Sequence, residues 1–600
     1  MDLRFLHLLF VVTVVASCIG LTPASADLNI NAIKPTATPK SHAAPAKPDH
    51  RAKRVVAPPV RKNATPSVTT RPATPAIQSA PVTPAAPAPL VVSLAGDTPY
   101  GTIGAALADA PLHGQVIVKA GVYRESVTVV KPVDLIVDPK AVPGSAVIEG
   151  QDQPALTLNS PSARIRGLSF RIAARNPVRA PSSVDVLSGA PIFEICDFGQ
   201  APEQCLNIQG AGVSPTFRKC TVHDGALHQV FISDGASARF DDSTILSSSQ
   251  YGIKVARATL TMTNCAVRGV PGIAASPSYG IVAKVGATVN LSACDVGSNM
   301  SVGLHINGST AAVANSRFHD LSRVGVEGYS SDTPTVLTAC EINNCSAYGL
   351  YANHARMEAA NCNVHDCDEA MHLTKGAFFT AKRCVWRNCK SYGAYIDDGA
   401  VGYFSDGVAH DFGNEAVYTI NTGNAVVSGC DLSKCGRAAV QAYNAGLTIQ
   451  DCKLRDFSQE AIIYNRSAKG IVTRVTIDRS FYTAVLILEN SEVTVDTVAI
   501  TSSGDNGFEI KEARATIANS SVAQAKHYGI VVRGGGKCTV SQTTLKDNDS
   551  GVGSFNKSTL RLDGCTISGN TNWGIDQTGD KVSATQCRVT GNGKGDGGPL

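Results

Sequence analysis

The chain carries little charge: Asp, Glu, Lys and Arg make up 17% of its 600 residues. Its long C-terminal part has no basic stripe, which speaks against nucleic acid as a partner. After the first 26 residues no apolar run is long enough to cross a bilayer, so no later segment is expected to do so. What is plentiful is glycine, 54 residues of it, together with small apolar and β-branched side chains. That composition suits strands and tight turns better than helices.

The first 26 residues read as an export signal. Arg4 precedes an apolar run from Leu8 to Ala16, and Ala24-Ser25-Ala26 offers small residues for cleavage ahead of Asp27. Val15-Ala16-Ser17-Cys18 resembles a bacterial lipobox, so lipidation at Cys18 is the alternative route. Either route implies a secreted, periplasmic or cell-surface protein. Residues 27–91 form a Pro/Ala-rich basic linker holding 13 of the 30 prolines. Such a segment buries no core and is expected to be a disordered, extended tether. It carries +7 of a chain total of +4, which leaves −3 on residues 92–600. The basic tether could contact an anionic cell wall or membrane surface, or act as a plain spacer.

From residue 196 onward the sequence repeats. Cys196, Cys220, Cys265, Cys294, Cys340, Cys362, Cys384, Cys430 and Cys452 recur mostly 22 to 24 residues apart. Ser243, Ser316, Gly407, Arg474, Thr497, Ser520 and Thr543 fill the column down to Cys565 and Cys587. Five residues on, a second column alternates Asn and Cys: Asn299, Cys345, Cys367, Cys389, Cys435, Asn548, Asn570 and Asn592. A buried Asn amide at a turn can bond backbone groups that would otherwise lack partners. A third column is small, as at Gly252, Gly280, Gly303, Gly325, Gly349 and Ala370, and is read as turn glycine opening a strand. Apolar residues then alternate with polar ones, the strand period. A leucine-rich repeat has a similar length, but here Leu is scattered and the second half of each repeat is again strand-like. The expected fold is all-β: a right-handed parallel β-helix solenoid over residues 92–600 with a short N-terminal capping helix, its columns numbering 18 coils.

On these columns, and on the cap-like stretch Thr102-Ile103-Gly104-Ala105-Ala106-Leu107, the chain resembles the pectin-lyase-like superfamily of right-handed parallel β-helix proteins. The resemblance covers residues 97 to about 590. It implies the fold and leaves the chemistry open, since that fold hosts lyases, hydrolases, esterases, epimerases and binding proteins. The cysteine columns are read as stacked free thiols, with column disulfides as the alternative.

On the strand after the small-residue column, alternate side chains point outward. One row holds His305, Glu327, Tyr351, His372, Tyr395, Tyr418 and Gln441. The next holds Asn307, Tyr329, Asn353, Thr374, Asp397, Tyr443 and Asn465. Aromatic rings and amides in a string match an extended saccharide, so a polysaccharide or cell-surface glycan is the expected ligand. The insertion between Arg268 and Tyr279 and a loop at 329–334 are expected to wall this lane. The paired-carboxylate and signature segments of polygalacturonases and pectinesterases are absent. Glu327 and Asp397 lie three coils apart, about 14 Å, too far for hydrolysis. Glu369 and Glu415 are closer and are read as turn residues. The catalytic alternative is a lyase or hydrolase acting on uronic-acid polymers. In the lyase form His372 is the base and Tyr395 the acid, with Asn353 or His305 against the substrate carboxylate. Asp241-Asp242 and Asp397-Asp398 are too isolated to build a calcium site, and no metal or cofactor is expected.

The mass of the mature protein distinguishes the two processing routes. Cleavage after Ala26 leaves Asp27 as the first residue, the expected outcome, whereas a lipid-modified N-terminal Cys18 would refute it.

Overall fold

The computed structural model describes residues 87–173, 181–247, 250–271, 278–576 and 578–597. The expected signal segment, Cys18 and nearly all of the expected linker lie outside these residues, as does the centre of the insertion between Arg268 and Tyr279.

Each turn of chain lays down up to three short strands. Thr259–Thr263, Ala266–Gly269 and Tyr279–Lys284 form one turn, and Phe378–Lys382, Val385–Cys389 and Ala394–Ile396 form another. Each strand pairs in parallel with its counterpart one turn before and one turn after, giving three sheets. The first sheet runs from Leu90–Val92 to Val582–Thr585. The second runs from Gly121–Tyr123 to Arg588–Thr590, and the third from Val127–Val129 to Ile575–Asp576. The described residues form a parallel β-solenoid of about 21 turns with one helix among them. Turns ahead of Cys196 account for the excess over 18: there Ala146 and Leu168 hold the equivalent of the Cys column.

Strand alternation explains the interior. In Thr259–Thr263 the odd residues face out while Leu260 and Met262 are fully buried. Identical side chains stack from turn to turn, as in Phe193, Phe217 and Phe240, whose ring centroids lie 4.8 and 4.5 Å apart. Burying one such side chain contributes ~1.5–3 kcal/mol, repeated in every turn.

The corner between the first and second sheets is made by one residue in the left-handed region. Asn264, Asn361, Asp451 and Asn519 have φ of 53°, 55°, 57° and 50°. Asn, Asp and Gly tolerate that conformation best, which is why they precede the Cys column. Two expected column members are corrected here. Arg474 and Thr497 are themselves the corner residues, with φ of 52° and 55°, and the buried positions belong to Val475 and Val498.

The second column also shifts at one point. Asn299 is an exposed corner residue, and Met300 fills the interior in register with Leu321 and Cys345. At the C-terminal end the expected amide ladder is present. The Asn570 Oδ1 accepts from both the backbone N and the Nδ2 of Asn548, at 3.0 and 3.1 Å. Asn592 repeats the pattern toward Asn570 at 3.1 and 2.8 Å.

The small-residue column has a different cause from the one expected. A Cβ on Gly252, Gly280, Gly303 or Gly325 would sit 2.6–2.7 Å from the carbonyl oxygen of the glycine one turn on. Close backbone approach excludes the side chain, and none of these four has φ in the left-handed region. All seventeen cysteines among the described residues are free thiols, and sixteen are buried. Several donate to the carbonyl two residues earlier, as Cys340 does to Thr338 at 3.4 Å. Burial pushes the Cys265 thiol up to about 12, so it stays neutral and unreactive.

The cap is the helix Ile103–Asp109. Thr102 accepts a bond from the Ala105 N–H, and the Glu125 carboxylate accepts from the N–H groups of Ile103 and Gly104 at 2.8 and 3.0 Å. The expected loop at 329–334 is no loop. It is a register shift between Ser331 and Thr335 inside the continuous strand Arg317–Thr338, which passes through all three sheets.

Asn570→Ala breaks the amide ladder and strands buried backbone donors. The denaturant midpoint should fall, with a loss of about 1–3 kcal/mol; an unchanged midpoint would show the ladder to be dispensable.

Candidate functional site

The third sheet carries the lane. Parallel register places His305, Glu327, Tyr351 and His372 side by side on successive turns, followed by Tyr395, Tyr418 and Gln441. Two residues along, Asn307, Tyr329, Asn353 and Thr374 align in the same way, as do Ile420, Tyr443 and Asn465. Asp397 follows Ile396, which pairs with Leu373, so it stands beside Thr374.

The rings on this face touch in an unbroken series. From His228 the centroid steps are 5.2 Å to Tyr251, 5.6 Å to Tyr279 and 5.4 Å to His305. The series goes on through Tyr329 and Tyr351 to His372, with steps of 5.4, 5.5 and 5.6 Å. It ends with Tyr395 at 4.9 Å and Tyr418 at 5.5 Å. Each ring comes from a different turn, so the ladder spans nine consecutive turns, or ~38 Å. Tyr348 and Tyr392 thicken it, lying 5.3 and 5.2 Å from Tyr351 and Tyr395. Many ring faces are covered by neighbouring rings, as His372 and Tyr395 are at an interplanar angle of 25°. What the ladder presents outward is therefore ring edges and phenolic hydroxyls as well as faces.

Carboxylates sit among the rings. Glu327 is 2% exposed, and one of its oxygens bonds His305 Nδ1 at 2.6 Å. Glu369 opens the strand Glu369–Thr374 and bonds His372 Nδ1 at 2.9 Å. Glu415 is wholly buried, with Arg437 Nη1 3.5 Å away and no hydrogen bond to either oxygen. Glu369 opens the strand Glu369–Thr374, which corrects its reading as a turn residue, while Glu415 stands just before the strand Val417–Ile420 as expected; both are largely shielded from water. They are two turns apart, ~10 Å. Burial pushes the Glu415 carboxyl up to about 7, against the pull of Arg437. Burial, aided by nearby Asp397 and Glu369, raises the Tyr395 phenol above its ordinary value, so it stays protonated and keeps its hydroxyl proton to donate.

The donors expected to face a substrate carboxylate are engaged within the protein. His305 holds Glu327, and Asn353 Nδ2 donates to Tyr351 Oη at 3.0 Å. Sequence reasoning missed His228, Tyr251, Tyr279, Tyr348 and Tyr392. Four of these share a signal, a Tyr directly before the small-residue column (Tyr251-Gly252, Tyr279-Gly280, Tyr348-Gly349, Tyr392-Gly393). Both the glycine and the residue after it turn inward, which leaves the tyrosine outside. A concavity of about 420 Å³, bordered by Ser278, Ser301, Asp320 and Ser322, opens beside the lane rather than on it. Among the described residues no group of three His, Cys, Asp or Glu converges as a metal cage.

Fold and face together define a parallel β-solenoid with one aromatic, acidic sheet. The chain belongs to the family described as the right handed beta helix region, matched over residues 204–357, 329–477 and 460–597. Among solved structures it is similar to the pectin methylesterase from Aspergillus niger, at 16% identity and a TM-score of 0.29, covering 42% of this chain and 82% of that one. It is also similar to the PL6 family alginate lyase AlyGC, at 10% identity and a TM-score of 0.24, covering 84% and 100%. The Azotobacter vinelandii mannuronan C-5 epimerase AlgE4 A-module follows at 13% and 0.14, covering 80% and 91%. No curated protein sequence matches the chain. None of these likenesses lends the chain an activity.

Because the folded Glu415 binds its proton more tightly than the unfolded chain does, its ionisation opposes folding. Below the ordinary carboxyl range the effect is absent; it grows as pH rises through that range and is complete above about 7. Glu415→Gln should flatten this slope and be the more stable protein at pH about 8, by on the order of 3 kcal/mol. Parallel pH slopes of the denaturation midpoint in the two proteins would rule the assignment out.

Proposed function

We propose that this is an exported protein that holds an extended polysaccharide along the third sheet, using the Tyr/His/Asn lane and not evidently catalysing its cleavage. The observation that carries the reading is the nine-turn series of touching rings. It is a linear array whose hydroxyls, amides and ring edges recur at the strand spacing, and a linear polymer is the ligand with a matching repeat. Structural stacking alone explains ring contacts on one strip. It does not explain Asp397, whose buried Oδ1 makes no hydrogen bond and is costly to place beside aromatic rings without a ligand to satisfy it. The Pro/Ala linker would tether the solenoid to a cell wall or membrane surface, through Cys18 if that residue is lipidated. No helix among the described residues is long and apolar enough to cross a membrane.

A second reading has one observation in its favour. The Glu369–His372 bond fixes His372 Nδ1, leaving Nε2 as the nitrogen available to take a proton, and the Tyr395 ring lies 4.9 Å away. That is a base, its orienting acid and a proton donor in one cluster, the set that β-elimination on a uronate polymer requires.

The purified full chain on immobilised polysaccharides tests both readings. Tyr395→Ala should weaken retention by about tenfold, the scale of one lost ring contact together with its hydroxyl. Unchanged retention would remove the lane from consideration. Ultraviolet-absorbing unsaturated product that disappears in His372→Ala would replace the binding reading with the lyase.

A further inference from the structure

Across eight consecutive turns of the third sheet, from Val302–Asn307 to Glu460–Asn465, no strand position holds Lys or Arg. The same stretch holds five carboxylates: Glu327, Glu369, Asp397, Glu415 and Glu460. Arg323, Lys375, Arg437 and Arg466 flank it in the corners. Basic side chains are therefore present around the strip and excluded from it.

Among the described residues, six of the twelve buried side-chain oxygens without a hydrogen bond lie on this strip. Glu327 Oε2, Asp397 Oδ1, both oxygens of Glu415, Gln441 Oε1 and Asn465 Oδ1 are buried and make no hydrogen bond. Glu327 is 2% exposed, Glu415 0% and Gln441 7%, so water does not readily serve them. Every one is an acceptor. An anionic polymer brings more acceptors and negative charge to this strip, and neither Coulomb energy nor hydrogen bonding would favour it. A ligand rich in positively charged donors satisfies both. Tyrosine rings beside the acids add favourable contact with a cation.

Resting on the polysaccharide-lane reading, we infer that the ligand is an amino-sugar polymer, a chain of 2-amino-2-deoxyhexoses with free ammonium groups, and not a polyuronate. The ammonium groups bond Glu327 and Asp397, with Gln441 and Asn465 accepting from hydroxyls, while Glu415 stays beside Arg437.

Calorimetric titration of the full chain at mildly acidic pH with three probes tests this: β-1,4-linked hexamers of glucosamine, of N-acetylglucosamine and of galacturonate. The glucosamine hexamer should bind about tenfold more tightly than the acetylated one and weaken as salt is added. Asp397→Asn, an isosteric change, should erase most of that preference, with far-UV circular dichroism unchanged. Equal binding of the first two, or tighter binding of galacturonate, with either effect lost in Tyr395→Ala, overturns the amino-sugar inference and leaves the lane standing. Binding of none of the three, or binding indifferent to Tyr395→Ala, overturns the lane reading as well.

Discussion

Each turn of this solenoid must hydrogen-bond to the turn above and below it, and that requirement sets everything else. A parallel ladder tolerates no drift in register, because a one-residue slip would send every interior side chain to the surface. The period of about 23 residues is thus a spatial constant, the length of chain that returns to the same point ~4.8 Å further along. Where the sequence lengthens, as between Cys265 and Cys294, the register is kept and Asp295 still pairs with Ala266.

The constraint also explains which residues recur. The corner before the second sheet needs one left-handed residue per turn, hence Asn264, Asn361 and Asp451. The start of the third sheet brings two backbones too close for a side chain, hence Gly252 through Gly325. Interior positions receive like residues from neighbouring turns, which favours stacks of Phe, Cys, Val or Asn. Free thiols serve here as small apolar groups: Cys340, Cys362 and Cys384 run side by side, each bonding a carbonyl of its own turn.

The outer face follows a different logic. Nothing in the ladder demands that His228 through Tyr418 be aromatic in nine successive turns, or that acids rather than lysines accompany them from His305 onward, after Lys254 and Lys284 beside Tyr251. Burial of Glu327 and Glu415 costs stability, and buried acceptors without donors add to the cost. Among the described residues, half of the buried side-chain oxygens without a hydrogen bond gather on this one strip, which is what a ligand-bearing face would require. The donors that could have met an anionic substrate, His305 and Asn353, are instead turned to Glu327 and Tyr351.

Periodicity by itself determined the fold class and the alignment of the lane's columns, because a repeat with a fixed period turns sequence distance into spatial adjacency. His305, Glu327, Tyr351, His372, Tyr395, Tyr418 and Gln441 could be aligned from their columns alone. The tertiary structure decided what depends on side-chain direction and enclosure. It moved Arg474 and Thr497 to the corners, replaced Asn299 with Met300, and dissolved the loop at 329–334 into a bulged strand. It also showed that Glu369 and Glu415 are lane residues shielded from water and that Tyr348 and Tyr392 belong to the ring ladder. A column states which residues are neighbours. Which way each one points, and whether water reaches it, follows from how three sheets close around a shared interior.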